Sequence, residues 1–143
     1  MSVEVSVVTE VTDELVGHLN RLLPQLSSSA SVLTNEAVRD VVESDASTLL
    51  VATRDGALIG MLTLVVFAIP SGRRAWIEDV VVDESARGTG AGEALTRAAI
   101  DLARRRSVRS VDLTSRAARV EAHALYQKLG FVTRETNVYR FTL

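Results

Sequence analysis

The sequence contains no cysteine, two prolines and few aromatic residues, which make up 4% of its 143 positions. Without cysteine, disulfide bonds, thiolate metal ligands and a cysteine nucleophile are all excluded. An excess of one charge is lacking too, since 16 basic and 18 acidic residues leave a formal net charge of −2. This balance does not favour nucleic acid or an anionic membrane, and we expect neither as a partner.

Long hydrophobic runs are missing as well. Residues 61–70 are mostly apolar, but a membrane-spanning helix needs about 18 or more such residues. The first residues carry acids and no basic segment, so we expect no signal peptide and a cytoplasmic protein. The apolar fraction of 47% is typical of a globular chain. The length predicts one domain, residues 1–143, with its own core.

Hydrophobic periodicity and turn residues predict a mixed α+β fold in the order βααβββαβαββ, with a mostly antiparallel sheet flanked by helices. Because a full helix separates residues 74–82 from residues 110–113, these two strands should run parallel. Strands are predicted at residues 3–8, 49–53, 58–67, 74–82, 110–113, 131–134 and 138–141. Helices are predicted from Thr12 or Asp13 (with Pro24 bending or ending the helix), from Thr34, and at residues 90–106 and 119–129.

The most informative stretch is residues 74–92, where an apolar strand ends in an acidic turn and a Gly-rich segment precedes a long Ala/Leu-rich helix. Gly88, Gly90 and Gly92 occupy alternate positions and let the backbone come very close to a ligand. N–H groups at a helix N-terminus are unpaired and lie at the positive end of the helix dipole. The pattern therefore predicts a main-chain site for a phosphate-bearing ligand.

Two familiar Gly-rich loops do not fit this segment. A Walker A loop ends in Gly-Lys-Ser/Thr, whereas Gly92 is followed by Glu93 and Ala94. A dinucleotide fingerprint requires G-x-G-x-x-G, but counting from Gly88 its third glycine position is Glu93. A nucleotide-binding regulator of the Rossmann type is therefore disfavoured.

Arg87, Gly90 and Gly92 match every fixed position of Arg/Gln-x-x-Gly-x-Gly/Ala, and residues 124–131 read ALYQKLGF. In this order the two motifs resemble the pyrophosphate loop and the A-x-x-L-Y-x-x-x-G-F signature of the GNAT N-acetyltransferase family. The resemblance covers about residues 74–135 and implies the acetyl-CoA N-acyltransferase (GNAT) fold. It also implies acetyl-CoA as cosubstrate, bound by Arg87, Gly88, Thr89, Gly90, Ala91 and Gly92.

The same resemblance implies transfer of an acetyl group from a thioester to an amine, which needs a base for the amine and an acid for the departing thiolate. Tyr126 is the candidate acid, since the tyrosine of the family motif approaches the CoA sulfur. The alternative interpretation is a buried tyrosine that packs beside Leu125 and Leu129.

Glu78 is the candidate base. Strand alternation places Trp76, Glu78 and Val80 on one face and Ile77, Asp79 and Val81 on the other. Two acids in an apolar strand are costly to bury, so at least one should face a polar cleft. A water relay or a Glu–Arg ion pair are the alternatives, and a β-bulge would exchange the facing of the two acids.

Further contacts with the coenzyme are implied by the resemblance alone. The backbone of Val80, Val81 and Val82 would pair with the pantetheine arm where their strand separates from residues 110–113. Arg119 stands where many members have an asparagine, so a side-chain hydrogen bond to pantetheine is in question; Arg119 would instead reach a phosphate or stay exposed.

We therefore expect an acetyl-CoA-dependent N-acetyltransferase that works by direct attack of a primary amine, because no Cys or activated Ser suggests an acetyl-enzyme. The Glu78–Asp79 pair favours a cationic small-molecule acceptor. A protein lysine or N-terminal amine, and a non-catalytic acetyl-CoA sensor, are the alternatives. His18 and His123 lack ligand-spaced partners, so no metal is expected; the family resemblance also suggests a possible homodimer.

Overall fold

The computed structural model describes residues 2–143, so the first residue of the expected domain 1–143 lies outside the described residues. Within them, four α-helices and five strands follow one another in the order βααβββαβα. Two compact units are distinguished, one ending at Leu113 and the other being Thr114–Leu143. The elements are β1 (Glu4–Val7), α1 (Asp13–Leu26), α2 (Asn35–Val42), β2 (Ser47–Arg54), β3 (Ala57–Ile69), β4 (Gly72–Val82), a 3-10 helix (Glu84–Ala86), α3 (Ala91–Arg105), β5 (Val111–Asp112) and α4 (Val120–Lys128).

The sheet of the first unit has the strand order β1-β2-β3-β4-β5. Neighbouring strands are antiparallel except β4 and β5, which pair in parallel with Ala75 opposite Val111 and Trp76 opposite Asp112. The expected mixed, mostly antiparallel α+β fold is therefore confirmed. It resembles a meander closed by one crossover, in which α3 carries the chain from the end of β4 back to β5.

Two layers of helix cover this sheet. On one face, α1 and α2 bury a cluster with the strands: Leu15, Val16, Leu19, Leu22, Val38, Leu49, Val51, Leu58, Met61 and Val81. Helix α3 packs on the opposite face, where a Cβ atom at Gly60 would lie 3.2 Å from Cδ1 of Leu95. Leu95 is fully buried, which stabilises the packing by roughly 1.5–3 kcal/mol. The N-terminus of α3 is thus held beside the end of β4.

The first two helices begin at capping residues that the sequence predicted. The side-chain oxygen of Thr12 accepts the N–H of Leu15 at 3.1 Å, and that of Thr34 accepts the N–H of Ala37 at 3.1 Å. Pro24 lies inside α1, which ends two residues later at Leu26. Within residues 2–143, no helix has the length and apolar character needed to cross a bilayer.

The two strands expected at residues 131–134 and 138–141 are not formed, and this part of the prediction is wrong. Apart from the half-buried Phe131, their apolar side chains are exposed, with Val132 at 81%, Tyr139 at 90% and Phe141 at 87%. An alternating pattern becomes a strand only where a neighbouring edge accepts its hydrogen bonds, and an isolated two-stranded hairpin is marginal. The described residues of the second unit include one helix and no sheet to provide that edge.

Candidate functional site

The centre of β4 contains a β-bulge. Val81 lies opposite Met61, whereas Glu78 lies opposite Thr63, so that two residues of β4 oppose one residue of β3. Asp79 is one of the two, and its φ of +51° lies in the left-handed region. Aspartate tolerates this conformation better than most residues, which explains why the bulge can form in an otherwise apolar, β-branched strand.

The bulge changes which side chains share a face. Strand partners lie on the same face, so Glu78 is on the side of Met61 and Thr63, which α1 and α2 cover. Val81 is on that side too, whereas Ile77, opposite Leu64, is on the other. The simple alternation that placed Ile77 and Val81 together is therefore wrong beyond Glu78, although Trp76 and Glu78 do share a face.

Glu78 and Asp79 are both exposed. Among residues 2–143, neither carboxylate has a hydrogen-bond or ion-pair partner. The alternative for Glu78, an ion pair with an arginine, is thus not formed among these residues. Both acids are available to a polar ligand at the bulge.

Beside the bulge, β4 has an open edge. Its pairing with β5 ends at Trp76, and from Ile77 to Val82 it pairs only with β3 within the first unit. Backbone N–H and C=O groups along this edge need partners. An extended ligand with amide groups could pair here as an added strand would.

The Gly-rich loop adopts the conformation that its glycines permit. Gly88 and Gly90 have φ values of +81° and +88°, and a Cβ atom at either would meet nothing within 4 Å. Gly90 precedes α3 without a side-chain cap. Among the hydrogen bonds of the described chain, none uses the N–H groups of Gly90, Ala91 or Gly92. Together with the positive end of the α3 dipole, they form a site suited to an anion.

Two further side chains of the loop have defined places. The hydroxyl of Thr89 donates to the carbonyl of Ala86 at 2.6 Å, which tightens the turn before α3. Arg87 is exposed, and its guanidinium has no hydrogen-bond or ion-pair partner among residues 2–143. Glu93, in the first turn of α3, pairs with Arg97 at 3.1 Å. Arg87 therefore adds an unpaired positive charge to the same loop as the unpaired N–H groups.

Sequence reasoning missed two residues near this loop, Arg21 and Gln25 of α1. The Arg21 guanidinium pairs with the carboxylate of Asp83, and Gln25 accepts the N–H of Glu84 at 3.0 Å. About 60 positions separate the partners, so no local pattern could have indicated these contacts.

The second unit contains Tyr126 within α4, and the motif around it has a local structural reason. The N–H of Gly130 donates to the carbonyl of Gln127 at 3.1 Å, and that of Phe131 donates to the carbonyl of Tyr126 at 2.9 Å. With Gly130 at a φ of +99°, this is a Schellman ending of the helix. The rings of Tyr126 and Phe131 meet edge to face, 5.6 Å between centroids.

Burial raises the pKa of Tyr126, and the positive charge of Arg119 offsets part of this increase. The phenol is therefore a neutral donor at pH 7.

Arg119 precedes α4 and makes no capping hydrogen bond with its side chain. His123 contacts the carbonyl of Arg116 at 2.8 Å. Among residues 2–143, no three His, Cys, Asp or Glu side chains are grouped to bind a metal.

In the first unit, the predicted residues thus follow one another from the bulge of β4 to the start of α3: Glu78, Val80 to Val82 and Arg87 to Gly92. Residues 16–131 match the sequence profile described as the Acetyltransferase (GNAT) family. The chain belongs to this family. Membership of the acetyltransferase family resembled by the two sequence motifs, and the fold expected from them, are thereby confirmed.

Individual relatives agree with this assignment. The mycothiol acetyltransferase of Beutenbergia cavernae is 39% identical over 77 residues, which are 54% of this chain and 25% of the relative. The chain therefore spans about a quarter of the length of that curated relative. An acetyltransferase from Trypanosoma brucei is 28% identical with a TM-score of 0.80, covering 99% of this chain and 100% of its own.

A third similarity concerns the fold alone. An aminoglycoside acetyltransferase from an uncultured soil metagenomic sample, in complex with trehalose, is 18% identical with a TM-score of 0.85. The aligned region covers 99% of this chain and 95% of that protein.

Proposed function

We propose that this GNAT-family chain transfers the acetyl group of acetyl-CoA to a primary amine of a small, cationic molecule. One observation carries the proposal: the unpaired N–H groups of Gly90, Ala91 and Gly92 lie just beyond the open edge of β4. Acetyl-CoA has the matching order of groups, with a pyrophosphate followed by an amide-containing arm and the thioester.

The residues of the loop fit this ligand by their chemistry. The N–H groups would donate to pyrophosphate oxygens, and such charge-assisted hydrogen bonds are the strong ones. The open space at Gly88 and Gly90 leaves room for the ligand to approach the backbone. Arg87 adds a positive charge, and Arg119 of the second unit is a further candidate for a phosphate contact.

The backbone of Val80, Val81 and Val82 would pair with the pantetheine amides along the open edge. The amine nitrogen then attacks the thioester carbonyl carbon, the C–S bond breaks, and the sulfur leaves as a thiolate. Glu78, directly or through one water, would take the proton of the amine, because alkyl amines with pKa values near 10 are mostly protonated at pH 7. Tyr126 would give its phenolic proton to the thiolate, and the second proton, which the nitrogen loses as it becomes an amide, would restore the phenol.

The surface around Glu78 supports a cationic acceptor. Phe67 and Trp76 lie on the same face of the sheet as Glu78, and Phe67 is 37% exposed. A protonated amine is attracted both by an unpaired carboxylate and by an aromatic face. The relatives named for mycothiol and for aminoglycosides, although they differ from this chain, are consistent with a small-molecule acceptor.

The proposal is tested by measuring CoA release from acetyl-CoA with a panel of amines. The panel contains polyamines, aminoglycosides, amino sugars, lysine-containing peptides and peptides with a free N-terminus. A thiol reagent reads out CoA directly, since the protein has no cysteine of its own. We expect turnover with cationic small molecules. Turnover only with peptides would overturn the acceptor class, and binding without any turnover would favour an acetyl-CoA sensor.

Glu78→Gln should reduce kcat by about 10²- to 10⁴-fold, the usual contribution of a general base, while acetyl-CoA affinity stays unchanged. The reason is that the amide cannot accept the proton of the amine but keeps the size of the side chain. Steady-state kinetics and calorimetric titration with acetyl-CoA provide the two measurements.

Asp79→Asn is the matched control, because Asp79 is the adjacent exposed acid within the bulge. Asparagine also tolerates a positive φ, so the backbone should be kept. If Asp79→Asn lowers kcat and Glu78→Gln does not, the base assignment moves to Asp79; if neither does, neither carboxylate is the base.

A further inference from the structure

Helix α1 contacts the connection between β4 and α3 through two side chains one helical turn apart. Arg21 and Gln25 are four positions apart and therefore lie on one face of α1. The guanidinium of Arg21 pairs with the carboxylate of Asp83, and its Nη2 atom donates to the carbonyl of Leu58 at 2.9 Å. A single side chain thus joins the start of β3 to the residue that follows β4.

Gln25 contacts the next residue of the same turn. Its Oε1 atom accepts the N–H of Glu84 at 3.0 Å, and the other carboxylate oxygen of Asp83 accepts the N–H of Ser85 at 3.2 Å. The backbone of Asp83 donates to Ile59 at 2.8 Å. Three successive residues, 83 to 85, are therefore fixed by hydrogen bonds immediately before the Gly-rich loop.

The electrostatics of Asp83 agree with this geometry. Burial raises the pKa of its carboxyl group, but the N–H of Ser85 and the Arg21 guanidinium outweigh burial, so that the pKa lies below its usual value of 3.8. A lowered pKa means that the folded protein favours the carboxylate. The stabilisation that the ionised carboxylate contributes is fully present above the usual pKa and is lost as the pH falls through the lowered value.

We propose that Arg21 and Gln25 are positioning residues that hold the loop of residues 83–90 ready for an anionic ligand. The proposal rests on the function proposed above and deepens it: α1, which provides none of the anion-binding N–H groups, would set the affinity for acetyl-CoA. Ligand binding costs less when the loop is already ordered.

A purely stabilising role explains the arrangement less well. The Arg21 side chain is 43% exposed and that of Asp83 is 16% exposed, so solvent still reaches the arginine and limits what the ion pair adds to global stability. Its two partners are Asp83 at the loop and Leu58 in the sheet, so its removal should loosen the loop locally. The 3-10 helix continues this path, because Ala86 is buried and its carbonyl accepts the hydroxyl of Thr89.

The test compares Arg21→Met with Arg39→Met, a matched control on α2 whose arginine is exposed. Hydrogen exchange of the amides of residues 84–92, measured without ligand, should be faster in Arg21→Met than in the wild type or the control. The Kd for acetyl-CoA should increase about tenfold, the factor given by one lost hydrogen bond of ordinary strength. The value of kcat at saturation should not change.

Two further measurements separate positioning from general damage. Acetyl-pantetheine lacks the pyrophosphate, so its kcat/KM should be the same for the wild type and Arg21→Met. A misfolded variant would instead lose activity with both acetyl-CoA and acetyl-pantetheine. Arg21→Lys, which keeps the charge but has a single nitrogen for both partners, should recover part of the affinity.

The outcomes distinguish the two proposals. If the wild type binds acetyl-CoA and exchange in Arg21→Met is unchanged, the positioning role is overturned alone. The positioning role is also overturned if Arg21→Met lowers kcat/KM by the same factor with acetyl-CoA and with acetyl-pantetheine. If the wild type binds no acetyl-CoA, the proposed function fails and the role in coenzyme affinity fails with it.

Discussion

Replacing Gly90 by valine is expected to abolish acetyl-CoA binding while the protein still folds. Gly90 has a φ of +88°, which a β-branched residue adopts only at a cost of roughly 1–3 kcal/mol. Since domains are stable by about 5–15 kcal/mol, the fold should survive. The valine would instead rotate the backbone of the loop and place a side chain where the pyrophosphate approaches.

The affinity should fall at least about 100-fold, because two lost hydrogen bonds to a charged group, each worth roughly 1.5–3 kcal/mol, are sufficient. Calorimetric titration with acetyl-CoA measures the loss, and thermal unfolding shows whether the fold is kept.

Gly56→Val is the matched control. Gly56 has a φ of +79° in the turn between β2 and β3, and a Cβ atom there also meets nothing within 4 Å. The two variants therefore carry similar backbone strain at two different places. If both lost acetyl-CoA binding equally, or if Gly90→Val bound it normally, the assignment of the loop would be wrong.

The loop could be predicted from sequence because its conformation is decided locally. Gly88 and Gly90 adopt positive φ values that other residues avoid, and a helix follows at once. The parallel pairing of β4 with β5 was predictable for a similar reason, since a crossover helix allows little else. In both cases the physical cause lies within the local segment itself: the glycines of the loop and the helix between the two strands.

Other features could not be predicted because their causes lie far away in the sequence. The bulge in β4 depends on the register with β3, and only that register places Ile77 and Val81 on opposite faces. Arg21 and Asp83 lie 62 positions apart in the sequence and meet because α1 packs across the sheet. The strands predicted near the C-terminus had the right alternation but found no strand within their own unit to pair with, which shows that alternation alone does not form a sheet.

The remaining catalytic proposal, Tyr126 as the acid, is tested by Tyr126→Phe. The ring of Tyr126 packs edge to face on Phe131, and its backbone carbonyl accepts the N–H of Phe131. Phenylalanine keeps both contacts and removes only the hydroxyl. We expect kcat to fall by about 10²- to 10⁴-fold, the usual contribution of a general acid, with little change in the Kd for acetyl-CoA.

The pH dependence provides a second signature of the same role. Because burial raises the pKa of Tyr126 above its usual 10.0, the phenol should stay protonated through neutral pH and lose its proton only at a more alkaline pH than an ordinary tyrosine. Activity that depends on this proton should decline there in the wild type, and the residual activity of Tyr126→Phe should lack the decline. Tyr139→Phe is the control, since Tyr139 is 90% exposed. An unchanged kcat in Tyr126→Phe would leave Tyr126 with the structural role of its ring alone, as the hydrophobic contact that completes the end of α4.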